Sequence, residues 1–183
     1  MKLIKNQIYF VAVLLFILLL VVFAAGCGRD AGEKNSEPAA SEGVKETVTL
    51  YFSDAQAQYL KPENREVVIK NDSLEEVVIE ELIKGPEDTA LRRTVPEEAE
   101  LLSVSVSEGV VSVNFSQEFK TKHWGGSTGE ILTLYSVVDT LAELPGITSV
   151  QFMLEGEKMD TLAGHFGTEN PLEPDWTLVQ AEQ

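Results

Sequence analysis

The sequence predicts an α+β protein, a two-layer sandwich in which a mixed or antiparallel sheet of about four to five strands carries two helices on one face. Three observations lead there. Several runs alternate apolar and polar residues with period two, the mark of strands with one dry and one wet face. Two further segments repeat apolar residues at helical spacing behind a Ser-x-x-Glu start. Strands that keep a polar face need cover on one side only, and two amphipathic helices supply it.

The first strand spans Thr47 to Ser53, with Val48, Leu50 and Phe52 on one face and Thr47, Thr49 and Tyr51 on the other. Glu66-Val67-Val68-Ile69 is a second short extended candidate, preceded by a loop carrying Pro62. Ser73-Leu74-Glu75-Glu76 then has the form of a capping box, in which Ser73 and Glu76 satisfy each other's backbone N–H groups. The helix predicted behind it, 74–84, buries Leu74, Val77, Val78 and Leu82, with Ile79 and Ile83 widening the stripe. Gly85-Pro86 ends it, since proline cannot continue a helix.

Leu102, Val104 and Val106 alternate with serines, and Val111, Val113 and Phe115 alternate with Ser112, Asn114 and Ser116. Glu108-Gly109 between them makes the pair a hairpin. Ser127-Thr128-Gly129-Glu130 reads as a second capping box, followed by Ile131, Leu134, Tyr135, Val138, Leu141 and Ala142 at helical offsets. Pro145-Gly146 stops that helix, and Val150, Phe152 and Leu154 define the last clear strand. The remainder, 156–183, has little periodicity and is expected to pack locally through Leu162, Phe166 and Trp176.

The chain upstream of this domain has another character. Lys2 and Lys5 precede an unbroken apolar or aromatic run from Ile8 to Ala25, which ends in Ala24-Ala25-Gly26-Cys27. Small residues before a cysteine suit a signal peptidase, so residues 1–26 read as a lipoprotein signal peptide with Cys27 as the lipid attachment site. Ala24 stands where leucine is usual, and a run of about 18 apolar residues is close to a minimal membrane span. An uncleaved transmembrane anchor is therefore the competing reading. Either way, residue 28 onward is exported and the protein is held at the extracytoplasmic face of the cell membrane. Cys27 is the only cysteine, which leaves no internal disulfide. Residues 27–46 hold too few apolar side chains to offset their ordering entropy, and are expected to form a flexible tether reaching roughly 20–25 Å. Residues 47–183 then suffice for one domain.

Charge narrows the partners. The formal net charge is −16, and cleavage of the leader removes two lysines and no acid, giving −18. Such a field repels nucleic acid and anionic headgroups, and none of these is an expected partner. The same field favours solubility and suits a basic protein partner, and acids that merely solvate the surface explain the composition equally well.

No motif carries an evident reaction. Gly125-Gly126-Ser127-Thr128-Gly129 lacks the lysine of a phosphate cradle. The two histidines, His123 and His165, lie far apart in loop-like stretches. Glu76 and Glu80, and the cluster Glu97, Glu98 and Glu100, lack the spacing of a calcium loop. No cofactor, metal or catalytic residue is expected. His123-Trp124 is the remaining candidate, because a tryptophan exposed between hairpin and helix can anchor a protein partner. It can equally plug the edge of the core.

Four pieces of this chain resemble the GerMN domain of bacterial spore germination and sporulation proteins. They are Val48–Phe52, Glu81-Leu82-Ile83-Lys84-Gly85-Pro86, Val113–Phe119 and Val137–Pro145, in that order. The resemblance covers about 47–167 and implies a lipid-anchored, extracytoplasmic domain from a spore-forming lineage, in a family without known catalysis. The founding member carries two copies and works with membrane complexes joining mother cell and forespore; this chain has room for one copy. The expected function is thus a non-enzymatic lipoprotein acting through contacts with envelope or sporulation proteins. The alternative is a cell-envelope module binding a glycan or cation, for which Trp124, Trp176 and the acidic clusters are the candidates.

Overall fold

A computed structural model of the chain describes residues 43–180. The expected signal peptide, Cys27 and nearly all of the expected tether lie outside the described residues. Strand β1 (Val44–Ser53) begins three residues before the alternation starts, because Val44, Lys45 and Glu46 pair with Ile69, Val68 and Val67. The domain therefore takes in residues that composition assigned to the tether.

The partner strand β2 (Leu60–Ile69) is longer than the four-residue candidate read from the sequence, and Pro62 lies inside it, opposite Tyr51. Proline is tolerated there because β1 and β2 form a two-stranded antiparallel sheet, in which β2 has a free edge needing no N–H donor. Helix α1 (Leu74–Lys84) follows with the predicted reciprocal cap: Glu76 N–H donates to Ser73 Oγ at 3.2 Å, and Ser73 N–H donates to Glu76 Oε2 at 2.8 Å. Gly85, at φ +89°, ends the helix in a conformation that favours glycine.

Arg65 joins these elements. It is buried on β2 between Glu63 and Glu81, reaching Glu81 at 2.8 Å, and donates to the Gly85 carbonyl at 3.0 Å. Its guanidinium also lies 5.8 Å from the centre of the buried Phe52 ring.

The second sheet has four strands in the order β3 (Leu101–Ser107), β4 (Val110–Phe115), β5 (Ser149–Leu154) and β6 (Glu157–Lys158). The hairpin turn uses Glu108 and Gly109, both at positive φ, as a two-residue turn matched to strand twist requires. Strand β5 runs parallel to β4 and antiparallel to β6, so the sheet is mixed. Between β4 and β5 the chain forms the short helix α2 (Glu118–Thr121) and the long helix α3 (Ser127–Ala142). The α+β prediction holds, with the strands divided between two sheets.

One apolar cluster unites Leu50 and Phe52 of β1, Val78 and Leu82 of α1, Val113 and Phe115 of β4, and Val137 and Leu141 of α3. Burying side chains of this size is worth about 1.5–3 kcal/mol each, which fixes both helices against the strands. The three tail residues do pack, but onto distant elements rather than locally. Leu162 enters the core and Phe166 meets Tyr135 edge-on, while Trp176 lies within a 3₁₀ turn beside Tyr51.

Candidate functional site

Trp124 stands on the linker between α2 and α3, and both ends of that linker are fixed. The fully buried Phe119 of α2 stacks on Phe115 at 4.1 Å, anchoring the linker's start. Gly125 and Gly126, at φ +76° and +84°, then turn the chain into α3, in open space where only the backbone conformation demands glycine.

His123 is locked by its hydrogen bonds. Its Nδ1 accepts from Gly125 N–H at 3.0 Å, so the proton is on Nε2, which donates to Thr133 Oγ1 at 3.0 Å. Thr133 passes the chain on to the Thr94 carbonyl at 2.6 Å. Burial holds the imidazole below its ordinary pKa, against the opposing pull of the Gly129 backbone and the Glu130 carboxylate. The ring is thus a neutral platform, and the Trp124 indole stacks on it at 4.9 Å between centroids. Even so, Trp124 is 54% exposed, so it does not plug the core. Glycine at 129 makes this seat, since a Cβ there would meet the indole Nε1 at 3.0 Å.

The indole overhangs a groove of about 300 Å³, lined among others by Ser53, Ala57, Arg92, Thr94 and Leu132. Its far wall is held by Ser53 and Arg92, which exchange backbone hydrogen bonds of 3.1 and 2.8 Å and so extend the end of β1. Arg93 turns away to the carbonyls of Ile83 and Lys84 at the end of α1, with Glu97 at 3.8 Å. Arg92 is exposed, its guanidinium donates only to the carbonyls of Thr89 and Leu91, and it forms no ion pair among the described residues.

Glu130 has a role that its sequence context hides. The predicted second capping box does not form: Gly126 is the N-cap, Ser127 is already helical, and no side chain caps the helix. Glu130 points inward instead and is fully buried. Its Oε1 accepts from Thr161 Oγ1 and Ala163 N–H, both at 2.8 Å, and its Oε2 accepts from His165 N–H at 2.9 Å. Burial alone would raise its pKa, but the hydrogen bonds from Ala163, Thr161, His165 and Phe166 outweigh it and bring it to about 2. Glu130 thereby fixes the loop carrying His165, whose Nδ1 lies 3.1 Å from Oε2. His165 and His123 do not converge on a common site.

A second buried carboxylate escaped the sequence reading altogether. Asp139 lies midway along α3, where its neighbours are core residues. Its Oδ1 accepts the Asp175 N–H at 3.0 Å, while Oδ2 has no partner. Burial first, then the Asp175 and Glu143 carboxylates, push its pKa up to about 7 against that one hydrogen bond. Nearby, Tyr51 donates to Glu143 at 2.6 Å, and Trp176 stands 6.0 Å from the Tyr51 ring, 47% exposed. Among the described residues, no group of three or more His, Cys, Asp or Glu side chains is placed to hold a metal ion.

Residues 49–160 match the Germane family model, described as sporulation and spore germination. Three solved structures are similar in fold. A candidate lipoprotein from Clostridium perfringens shares 23% identity at a TM-score of 0.52, over 72% of this chain and 88% of that one. The tandem GerMN domains of the sporulation protein GerM from Bacillus subtilis give 22% and 0.56, over 77% of this chain and 48% of that one. The first GerMN domain of the same protein gives 21% and 0.53, over 71% of this chain and 96% of that one. The chain thus spans about half of the tandem and nearly all of the single domain. No curated protein matches it.

Proposed function

The chain belongs to the Germane family of sporulation and spore germination, and from that premise we propose that it is a membrane-anchored, extracytoplasmic lipoprotein that acts by protein–protein contact rather than by catalysis. Anchoring rests on the leader, in which Cys27 takes the lipid. The partners are envelope or sporulation proteins, and the contact is made by Trp124 on its His123 platform.

The observation that carries this reading is an indole left 54% exposed although its position is fixed on two sides. Aromatic anchors dominate interface energies, and an anchor already immobile before binding loses little further entropy. A glycan site would favour carboxylates beside the aromatic ring, whereas Arg92 and Arg93 are the charged residues lining the groove under Trp124.

A photo-crosslinking residue at Lys122 or Thr128, either side of Trp124, tests the contact in sporulating cells of the host. Discrete adducts with envelope or sporulation proteins, lost when Trp124→Ala is added, are the expected result. Adducts indifferent to Trp124, or none at all, would contradict the reading.

A further inference from the structure

We propose that the groove beneath Trp124 binds an acidic peptide segment of the partner, with an apolar side chain under the indole and a neighbouring carboxylate on Arg92. This rests on the contact surface proposed above and specifies what that surface recognises.

Charge complementarity is the first support. Arg92 has no carboxylate partner among the described residues, and it lies in the lining of the groove. Arg93 has Glu97 and two helix-end carbonyls to satisfy it. Arg92 makes only local carbonyl contacts through Nη1, which leaves the rest of its donor fork for a carboxylate. Neither Asp nor Glu lines the groove.

The remaining lining fits a peptide. Trp124, Leu132 and Ala57 offer apolar surface, and Thr94, almost wholly buried in the same lining, has an Oγ1 without a partner. An unpaired buried hydroxyl costs free energy that an incoming polar group can recover. The −16 net charge does not prevent this, because charges beyond about 8 Å are largely screened at physiological salt. That same field still opposes a long polyanion, which would need many cations where the groove offers Arg92 and an Arg93 already engaged by Glu97.

Selection of displayed random peptides on the full-length protein in detergent tests the proposal, with Trp124→Ala and Arg92→Glu selected in parallel. Wild type should enrich peptides that place Asp or Glu beside an aromatic or aliphatic residue. Trp124→Ala should lose them. Arg92→Glu should weaken the leading peptide by about tenfold or more, the scale of one charge-assisted hydrogen bond, and enrich Lys or Arg in its place. Thermal melts exclude misfolding, since the Arg92 side chain makes only two loop contacts and its backbone bridge is unaltered.

No enrichment, enrichment of basic peptides by wild type, or binding indifferent to Arg92→Glu would overturn the proposal. Peptides that depend on Trp124 but not on Arg92 would overturn the acidic specificity alone. Acidic peptides that bind as described while cells yield no Trp124-dependent adducts would overturn the protein-contact reading instead.

Discussion

The Trp124 indole rests over Gly129, so closely that a methyl group there would touch Nε1 at 3.0 Å. The relationship joins a backbone feature of α3 to the orientation of the most exposed aromatic in the domain. Gly129→Ala should therefore move the indole without unfolding the helix, because the exposed ring can give way. Alanine also gains helix propensity, up to about 1 kcal/mol in an interior position. In a Trp176→Phe background, the Trp124 emission should shift while the melting temperature stays level or rises. An unaltered spectrum would mean that Gly129 does not seat the ring.

Glu130 is expected to be worth about 3 kcal/mol, as a buried charged acceptor of several hydrogen bonds. Glu130→Gln should lower the unfolding free energy from urea melts by that amount at pH 6. The folded-state pKa lies near 2, below the ordinary value, so this stability is present above about pH 4.5 and lost as pH falls through 2. The gap between variant and wild type should close over that range. A gap independent of pH would show that the ionised carboxylate is not what holds the 161–165 loop.

Asp139 behaves in the opposite sense. Its folded-state pKa is raised to about 7, so the stability tied to its protonated form is complete below about pH 4 and lost as pH rises through 7. Over that window the loss is on the order of a few kcal/mol. Asp139→Asn still offers an oxygen to Asp175 N–H, but cannot ionise. Its stability relative to wild type should improve from pH 5 to about pH 7 and level off by pH 8 in parallel chemical melts. Parallel curves across that range would place the titration elsewhere.

The capping box at the start of α1 gives a smaller effect. Ser73→Ala removes the acceptor of Glu76 N–H and should cost about 1 kcal/mol, with function intact. Ser127→Ala, at the spacing that mimics a second box, should cost far less, since Gly126 is the true N-cap.

Those two serines show how far the sequence could be read. The Ser73 box, the Glu108-Gly109 hairpin and the last strand are local patterns that form where the sequence places them. The hairpin nonetheless has a register shift at Leu101–Ser103 and leaves Leu102 and Val106 exposed, and the last strand buries Ser149 and Gln151 as well as Val150 and Phe152. The Ser127 motif has the same spacing, but the positive φ of Gly126 puts the helix start one residue early and frees Glu130 to turn inward. Leu60–Arg65 reads as loop because proline and charges break its alternation. Only pairing with β1, which no local pattern encodes, makes it a strand. Asp139 is hidden for a similar reason, since its N–H partner lies 36 residues away on the tail. Between anchoring a partner and plugging the core, the sequence left Trp124 undecided, because exposure depends on what packs around it. The parallel pairing of β4 with β5 likewise depends on the path of α3 between them.

Membrane attachment makes a separate prediction. Cys27→Ala should release or mislocalise the protein on cell fractionation, while a purified sample keeps the wild-type melting curve. Retention in the membrane with an uncleaved leader would make the apolar run itself the anchor.

The central claim is that the domain works at the membrane through Trp124. The most direct test replaces the chromosomal copy with Trp124→Ala and counts heat-resistant and germinating spores alongside membrane levels of the protein. The account predicts wild-type amounts in the membrane fraction with a clear loss of spore formation or germination. Normal spores from cells carrying Trp124→Ala at normal membrane levels would contradict it.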